Sequence, residues 1–401
     1  MTNLLASGAW QTIGSVLLAI LVLLVMITVH EFGHYVVGKI LKFKITEFAI
    51  GFGPAIFKRK SKKTGEIFSL RLIPLGGFCA FDGEDGVEEE EKSETHGELP
   101  FEEYGESEQE KEQAEEKEVT PTGAKFNEQA PWKRILVLIA GATMNYLLAL
   151  LIITLSIGIY GQVAYKVDKV VQDPAYAQEY SLLDGDVILG VENVDFYLAT
   201  DLASSLNGKK TGDEVKVKVL RDGKEQTITV KLRADCNIES SQYVSRVWKA
   251  LGIDVYTAED GNGYYSLSTT AVKYDFFQTI GRSVVYSGKI GGAIFTTLGE
   301  LLTGKLALTS MGGPVTTIQM TSEIIQTGFQ NFLEIAAYIG VNLAVFNLLP
   351  IPALDGSKVI FCAIEWIFKK PVPRKIEAII HAVGIILLLG FAVLVDVLHF
   401  V

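Results

Sequence analysis

Long apolar runs dominate the pattern of hydrophobic and polar positions along this chain. Residues 13–29, 135–160 and 379–398 are almost wholly apolar. A helix of about 20 residues spans the hydrocarbon core of a bilayer, so a run of this kind is long enough to cross a membrane. Trp10 and Trp132 stand before the first two runs, where interfacial aromatic anchors occur. The pattern predicts three membrane-spanning helices.

A fourth run, residues 336–368, is apolar but contains Pro350, Pro352 and Asp355. Proline ends or kinks a helix, and a carboxylate that faces lipid is energetically expensive. Such a segment is stable in a membrane only if its polar part is buried in protein or lines a cavity. We therefore expect an interrupted third span, placed before the last one, with a functional carboxylate.

The first apolar run could instead belong to a secretory signal peptide. A signal peptide has a basic segment before its apolar stretch and a cleavage site of small residues after it. The first basic residue here is Lys39, and no small-residue cleavage site follows the run. The sequence favours a retained helix.

Basic residues predict how the spans are oriented. Short loops rich in Lys and Arg stay on the cytoplasmic side of a membrane, whereas long exported domains cross it regardless of their charge. Two short connections are basic: residues 58–63 (KRKSKK) after the first span, and 369–375 between the last two. We expect four spans, both termini and the region after Gly161 outside, and a bacterial cytoplasmic (inner) membrane location.

Composition adds one unusual segment. The chain has 401 residues, of which 49% are hydrophobic and only 21% charged, as in a membrane protein with a modest soluble part. Its net charge of −11 comes from residues 82–118, which hold 18 acidic residues and three lysines. This acidic segment has almost no apolar content, so we expect a disordered cytoplasmic loop, with a solvated spacer as its simplest role. The three cysteines lie far apart and indicate neither a disulfide framework nor a cysteine-based zinc site.

The region between the first two spans begins with two strand-like stretches. Residues 45–60 and 66–81 combine β-forming residues with Gly and Pro, and Lys63-Thr64-Gly65 is a plausible turn between them. These strands are too apolar for an ordinary exposed loop. We expect a re-entrant β-structure at residues 42–83 that dips into the membrane beside the first helix.

The region after the second span has the composition of a small soluble domain. Short strands, a helix at 201–206 and a hairpin at Asp222-Gly223 are predicted between residues 165 and 251. From 274 to 330 helices are predicted, but charged residues interrupt them too often for a span. We expect amphipathic helices on or near the outer membrane surface.

The strongest chemical motif is His30-Glu31-Phe32-Gly33-His34, at the inner end of the first span. Residues i and i+4 share one face of a helix, so both imidazoles can ligate one metal ion while Glu31 activates the attacking water. The alternative is a pair of hydrogen-bonded interfacial histidines with an incidental glutamate. Their place within a span makes that alternative expensive.

A catalytic zinc usually takes three protein ligands and keeps a fourth position for water. The remaining histidines are His96 in the acidic loop and His381 and His399 beside the last span. Asp355, inside the interrupted span, is the better candidate for the third ligand. Its alternative role is a helix cap after a kink.

Taken together, HEFGH in the first span, NLLPIPALDG at residues 347–356 and a domain inserted between spans two and three resemble the site-2 protease family of intramembrane zinc metalloproteases. The resemblance is to its bacterial sigma-factor-regulating (RseP/RasP-like) branch and covers nearly the whole chain. It implies that His30, His34 and Asp355 bind Zn2+, that Glu31 is the general base, and that Asn347 helps to hold the substrate backbone.

Further segments resemble parts of that family. Gly51-Phe52-Gly53 and residues 74–77 resemble the membrane-inserted β-structure that binds substrate beside the active site, and residues 312–315 match a stretch before span three. Residues 141–145 resemble a Gly-Pro-x-x-Asn stretch of span two, with Ala142 in place of the proline.

The inserted domain is similar to one PDZ domain at residues 173–175 and 184–188, but has 179–182 (EYSL) where the family often has Ala-Gly-Leu. Capture of a peptide terminus and a steric filter against large ectodomains remain equal alternatives for its role.

The fold class that follows is a polytopic α-helical membrane protein with four transmembrane helices, a membrane-associated β-structure and one inserted extracytoplasmic PDZ domain of the α+β type. The predicted order is helix 1 with the zinc motif (1–41), re-entrant β-structure (42–83), acidic loop (84–124), helix 2 (125–161), PDZ domain (162–251), amphipathic helices (252–330), helix 3 (331–370) and helix 4 (371–401).

The predicted function is hydrolysis of transmembrane segments of other membrane proteins in regulated intramembrane proteolysis. The resemblance implies single-pass substrates already shortened by another protease, such as anti-sigma factors or signal-peptide remnants; nucleic acid is not an expected partner. Two alternatives belong to other classes. A scaffold with structural zinc would normally supply four protein ligands, and a metal transporter would line several spans with polar groups.

Overall fold

The computed structural model describes residues 2–84, 119–171, 173, 180–236, 243–257, 263–308 and 311–400. The chain divides into two compact units. The first, here called the helical unit, holds residues 1–152 and 293–401; the second, the sheet unit, holds residues 153–292. Most of the predicted acidic loop, together with His96, lies outside the described residues.

Nine α-helices occur in the described residues. Their bounds are α1 Thr2–Ile40, α2 Pro131–Tyr160, α3 Ala199–Leu206, α4 Tyr243–Ala250, α5 Phe276–Leu302, α6 Pro314–Gln326, α7 Phe329–Asn347, α8 Asp355–Phe368 and α9 Arg374–Phe400. Four stretches among them are long and apolar enough to cross a membrane: Thr12–Ile40, Pro131–Tyr160, Phe329–Asn347 and Lys375–Leu398. The chain thus has the four apolar helices of a membrane protein.

The interrupted third span consists of two separate helices. α7 ends at Asn347 and α8 begins at Asp355, and Pro350 and Pro352 lie in the connection. Proline disfavours the helical conformation of the residue before it and cannot donate the hydrogen bond that would continue a helix. Only α7 has the length and composition of a span, so the apolar run predicted as one broken span is one span followed by a shorter helix.

The helical unit packs its helices closely around small residues. Val22 and Met26 of α1 form a buried cluster with Ala336 and Ile339 of α7. A β-carbon on Gly340 would lie 3.0 Å from Cβ of Ala149, so α7 and α2 are nearly in backbone contact. Close approach through small residues is a common way to pack helices in membranes, where apolar burial alone gives no preference for protein over lipid.

The two strands between α1 and α2, β1 (Ile45–Lys60) and β2 (Ile67–Phe81), form a bent antiparallel hairpin. Ile50 of β1 pairs with both Gly77 and Leu70 of β2. The hairpin therefore folds back on itself, and this part of β1 has a segment of β2 on each side. Gly51 and Gly76 make the bends with φ of +87° and +136°, which residues with a β-carbon rarely adopt. The predicted strands and the turn before Gly65 are found here.

In the sheet unit, six strands form one sheet: β3 Gln162–Val167, β4 Val187–Val191, β5 Val194–Asp195, β6 Glu214–Arg221, β7 Lys224–Lys231 and β10 Leu267–Val272. The order is β10-β3-β4-β6-β7, with β5 paired to β4. A separate pair, β8 Val255–Thr257 and β9 Gly263–Tyr265, precedes β10. The predicted hairpin at Asp222-Gly223 joins β6 to β7, with positive φ at both residues as a type I′ turn requires.

The sheet continues beyond residue 251, where the predicted inserted domain ended. β10 pairs with β3 along its whole length, from Leu267–Val167 to Val272–Gln162. The prediction assigned residues 252–330 to amphipathic helices, but the helical part begins only at Phe276. The boundary was wrong because a six-residue strand that pairs with a partner 100 positions earlier has little local signal of its own.

Candidate metal centre

The two histidines of the HEFGH motif meet on the buried face of α1. His30 and His34 are 6% and 7% exposed, and their Nε2 atoms lie 3.1 Å apart. Their rings stand edge to face, with centroids 4.7 Å apart. The i, i+4 spacing of one continuous helix is therefore enough to aim both nitrogens at one point.

Asp355 reaches the same point from the first residue of α8. Its Oδ2 atom lies 2.9 Å from Nε2 of His30 and 3.3 Å from Nε2 of His34. The preceding loop turns sharply at Ala353, where φ is +79°, and the Ala353 N–H donates to Nδ1 of His381 at 3.1 Å. His381, an alternative ligand by sequence, thus supports the loop before Asp355 and is not part of the cluster.

The separations of the three ligand atoms match those of a zinc site. Zinc bonds of about 2.0–2.1 Å in a tetrahedron place neighbouring ligand atoms roughly 3.3 Å apart. The three separations here are 2.9, 3.1 and 3.3 Å. Two imidazoles and one carboxylate are also the donor set of zinc sites that keep one position open for water. His30, His34 and Asp355 therefore fit a catalytic zinc ion.

Backbone and side-chain groups around the ligands fix their orientation. Nδ1 of His34 lies 2.8 Å from the carbonyl oxygen of Val137, and because a carbonyl can only accept, this nitrogen carries the proton. Nε2 of His34 then has a free lone pair for a metal. The Asn347 amide nitrogen lies 3.3 Å from Nδ1 of His30, so α7 as well as α2 contacts the histidine pair.

Glycines let α2 approach the metal ligands. A β-carbon on Gly33 would lie 2.4 Å from the carbonyl oxygen of Ala140, so the two helices touch at the motif itself. A β-carbon on Gly141 would lie 2.5 Å from Nε2 of His34 and 2.7 Å from Nε2 of His30. In the sequence, Gly141 was noticed only because residues 141–145 resemble a stretch of the family. A glycine inside a predicted membrane-spanning helix was a further signal that could have identified it.

Glu31 lies between two cavities of the helical unit. One, of about 260 Å³, is lined by His30, Glu31, Asn347 and Asp355 together with Ile27, Asn145, Leu343, Ala353 and Leu354. The other, of about 460 Å³, is lined by Glu31, His34 and Asp355 together with Phe78, Cys79, Ala80, Phe81, Glu84, Val137, Leu138, Ala353 and Lys358. Glu31 thus lines both cavities together with residues of the ligand cluster.

Of the hairpin residues singled out from the sequence, Gly77 lies beside Glu31, whereas Gly51, Phe52 and Gly53 do not line the cavities there. Gly51, Phe52 and Gly53 make the bend of β1, and neither cavity wall described above includes them. The segment of β2 from Gly77 onward takes that place, since a β-carbon on Gly77 would lie 3.4 Å from Cγ of Glu31. Phe78, Cys79 and Ala80 were missed because the fold-back of the hairpin depends on pairing between distant segments.

Comparison with known proteins agrees with this geometry. Residues 18–391 match the model of Peptidase family M50. The chain is 32% identical over 383 residues to a candidate zinc metalloprotease of Clostridium perfringens, an alignment that covers 95% of this chain and 97% of the relative. It is 27% identical over 428 residues to the regulator of sigma-W protease RasP of Bacillus subtilis, covering 94% and 96%. The zinc metalloprotease RasP of Bacillus licheniformis is also 27% identical, over 427 residues.

The match spans most of the chain and includes every residue of the ligand cluster. Two histidines and one carboxylate at zinc spacing agree with the naming of these relatives as zinc metalloproteases. The chain therefore belongs to Peptidase family M50, the site-2 protease family, and is a zinc metalloprotease.

Proposed function

We propose that this protein cuts peptide bonds within the transmembrane segments of other membrane proteins. One observation carries the proposal: His30, Glu31 and His34 lie in a helix that is long and apolar enough to cross a membrane. Polar and ionisable groups in such helices are costly and are usually retained for a function. A cluster at this position serves substrates that themselves lie in the membrane.

Zinc held by His30, His34 and Asp355 would polarise the scissile carbonyl and lower the pKa of the attacking water. Glu31 accepts the proton that this water loses and then delivers it to the leaving amine. Its place in the walls of both cavities, together with residues of the ligand cluster, supports that role. Val137 keeps the proton of His34 on Nδ1, away from the reacting groups.

A transmembrane substrate must unwind before it is cut, since the helix occupies its carbonyls in hydrogen bonds. Each backbone group freed in the membrane then needs a new partner. The β2 segment that begins at Gly77 supplies one set of partners, as an edge to which an extended substrate adds. Its pairing with Ile50 on one side and its closeness to Glu31 support this assignment. Asn347, in the 260 Å³ cavity, holds a further part of the substrate backbone.

The substrates that we propose are single-pass membrane proteins shortened beforehand by another protease, with anti-sigma factors and signal-peptide remnants as examples. The relative from Bacillus subtilis is named a regulator of sigma-W protease, which supports a role in regulated intramembrane proteolysis. The sheet unit acts as a PDZ domain that either captures peptide termini or excludes large ectodomains. Both chain termini lie outside the bacterial cytoplasmic membrane, with the metal toward its cytoplasmic half, because the loop at 58–63 is basic.

The test compares wild type with Glu31→Gln in proteoliposomes that contain a single-pass substrate with a truncated ectodomain. The amide keeps the size of the side chain but cannot accept a proton, so we expect normal zinc content and loss of cleavage within the transmembrane segment. Glu323→Gln, on an exposed position of α6, is the matched control and should cleave normally. Normal cleavage by Glu31→Gln would refute the proposal, as would a wild type that cuts only soluble peptides.

A further inference from the structure

One polar side chain at the metal centre has no role in the chemistry described so far. Asn145 of α2 is 0% exposed, and both its amide nitrogen and its amide oxygen lack a hydrogen-bond partner among the described residues. A buried amide group without partners costs free energy, commonly about 1–3 kcal/mol. Groups of this kind in native proteins usually have a ligand or a function.

The position of Asn145 relates it to the metal site. It lies four residues after Gly141, hence one helical turn further along the same face of α2, and that face meets both imidazoles at Gly141. Asn145 also lines the 260 Å³ cavity, which it shares with His30, Glu31 and Asn347. Asn145 is therefore part of the wall of a cavity that also reaches Glu31.

Asn145 does not support the metal ligands in the way that its neighbours do. Val137 contacts Nδ1 of His34, and Asn347 contacts Nδ1 of His30. Asn145 has no hydrogen bond to either imidazole or to Asp355 within the described part of the chain. Its two polar atoms are buried in the cavity wall and have no partner among the described residues.

We propose that Asn145 is a substrate-binding residue whose amide pairs with a peptide group of the unwound segment next to the scissile bond. The side chain offers donor N–H groups and an acceptor oxygen, and a peptide group offers the complementary carbonyl and N–H. A single hydrogen bond to the scissile carbonyl would use only the nitrogen, whereas pairing with a peptide group uses both unpartnered atoms. The neutral amide also suits a membrane site, because burying it costs far less than burying a charge.

With Asn347, this assignment gives two amide side chains from two helices in one cavity. A β-carbon on Gly340 would lie 3.4 Å from the backbone oxygen of Asn145, so α7 packs tightly against α2 at that level. Asn347 follows Gly340 by seven residues, two turns along the same face of α7. Peptide groups on two sides of the cut can thus be held while Glu31 acts between them.

This inference rests on the proposed function, and its test uses purified, zinc-loaded full-length protein. Asn145→Leu keeps nearly the same shape and removes both polar atoms, with Asn145→Ala as a second variant in case one of them fails to fold. Thr143→Val is the matched control, because Thr143 is exposed on the same helix two residues away. Three quantities are measured: zinc content, kcat/KM for a transmembrane substrate, and inhibition by acetohydroxamate and by a peptidyl hydroxamate.

We expect unchanged zinc content and unchanged inhibition by acetohydroxamate, which needs only the metal. The kcat/KM should fall at least about tenfold, and the peptidyl hydroxamate should bind at least about tenfold more weakly, because its peptide groups lose their partners. A merely structural Asn145 would leave both peptide-dependent quantities unchanged, and removal of its unpartnered amide would if anything stabilise the protein. That result would overturn the proposal.

Loss of zinc in parallel with activity would also overturn it, since Asn145 would then support the metal site. Failure of the proposed function gives a different pattern. If wild type does not cut transmembrane substrates but Asn145→Leu still weakens only the peptidyl hydroxamate, the inference about Asn145 stands and the substrate class is wrong.

Discussion

Gly141 faces His34 so closely that a β-carbon on the glycine would lie 2.5 Å from Nε2 of the imidazole. The same carbon would lie 2.7 Å from Nε2 of His30. Neither ring can retreat without losing its approach to Asp355, since both are carried by one rigid helix. The absence of a side chain at Gly141 is thus part of the metal site.

Gly141→Ala should therefore reduce zinc affinity. We expect a loss of about ten- to a hundredfold, comparable to the removal of an outer-shell contact, with a parallel loss of proteolysis. Zinc titration of the metal-free protein measures it. Gly14→Ala is the control, because a β-carbon on Gly14 would meet nothing within 4 Å. Equal zinc affinity of the two variants would contradict the close approach.

Asp355→Asn tests the carboxylate as the third ligand. The amide keeps the shape of the side chain but removes the negative charge that lies 2.9 Å from Nε2 of His30. We expect zinc affinity to fall at least about tenfold, since a neutral amide is a poor zinc ligand. Metal analysis after dialysis against a weak chelator measures the loss. If Asp355 were only a helix cap, zinc content would stay at the wild-type level.

Asp396 of α9 caps the N-terminus of α6 from outside that helix. Its carboxylate accepts hydrogen bonds from the backbone N–H of Val315 and of Thr316, each at 3.1 Å, and from the Thr316 hydroxyl at 2.8 Å. Asp396→Ala should lower the free energy of unfolding, as for the loss of a helix cap. Denaturant titration in mixed micelles, with Glu323→Ala on the exposed face of α6 as the control, checks this.

In the sheet unit, Asp186 and Arg221 form a two-bond ion pair, with both N···O distances 2.7 Å. Hydrogen bonding to Asp186 raises the pKa of Arg221 above its already high ordinary value. Because the pKa is raised, this contribution to stability is fully present below the ordinary pKa and is lost only as the pH rises through the raised pKa. The pair should therefore stabilise the protein equally at pH 7 and pH 9.

Asp186→Asn should lower the free energy of unfolding by about 1–3 kcal/mol, because the aspartate side chain is 1% exposed and Arg221 loses its charged partner. Thermal unfolding of the full-length protein measures the change. Asp222→Asn is unsuitable as a control because Asp222 makes the hairpin turn, so exposed Asp213→Asn serves instead. A destabilisation that differs strongly between pH 7 and pH 9 would contradict the assignment.

The sequence was most informative where function depends on short-range spacing. The four amino-acid step between His30 and His34 becomes a shared face as soon as the segment is helical, and an apolar run of that length can hardly be anything else. Asp355 was proposed as a ligand because a carboxylate inside an apolar segment is costly unless it has a function. Each inference needed only neighbours along the chain.

What the sequence did not predict depends on distant contacts. The Val137 carbonyl that orients His34 belongs to the backbone and has no residue type to mark it. The double pairing of Ile50 arises only when both strands bend, and β10 becomes recognisable only beside β3. By sequence, the stretch at Gly51–Gly53 and the stretch around Gly77 are equally rich in glycine. Only the three-dimensional fold shows that Gly77 is the one next to Glu31.

The ion pair between His30 and Asp355 joins residues 325 positions apart. A ribosome makes Asp355 325 residues after His30, so the ligand set is incomplete over that stretch of translation. The nascent enzyme consequently lacks its third ligand while other newly made membrane segments pass through the same insertion machinery. The order of the ligands along the chain delays the onset of proteolysis until Asp355 has been made.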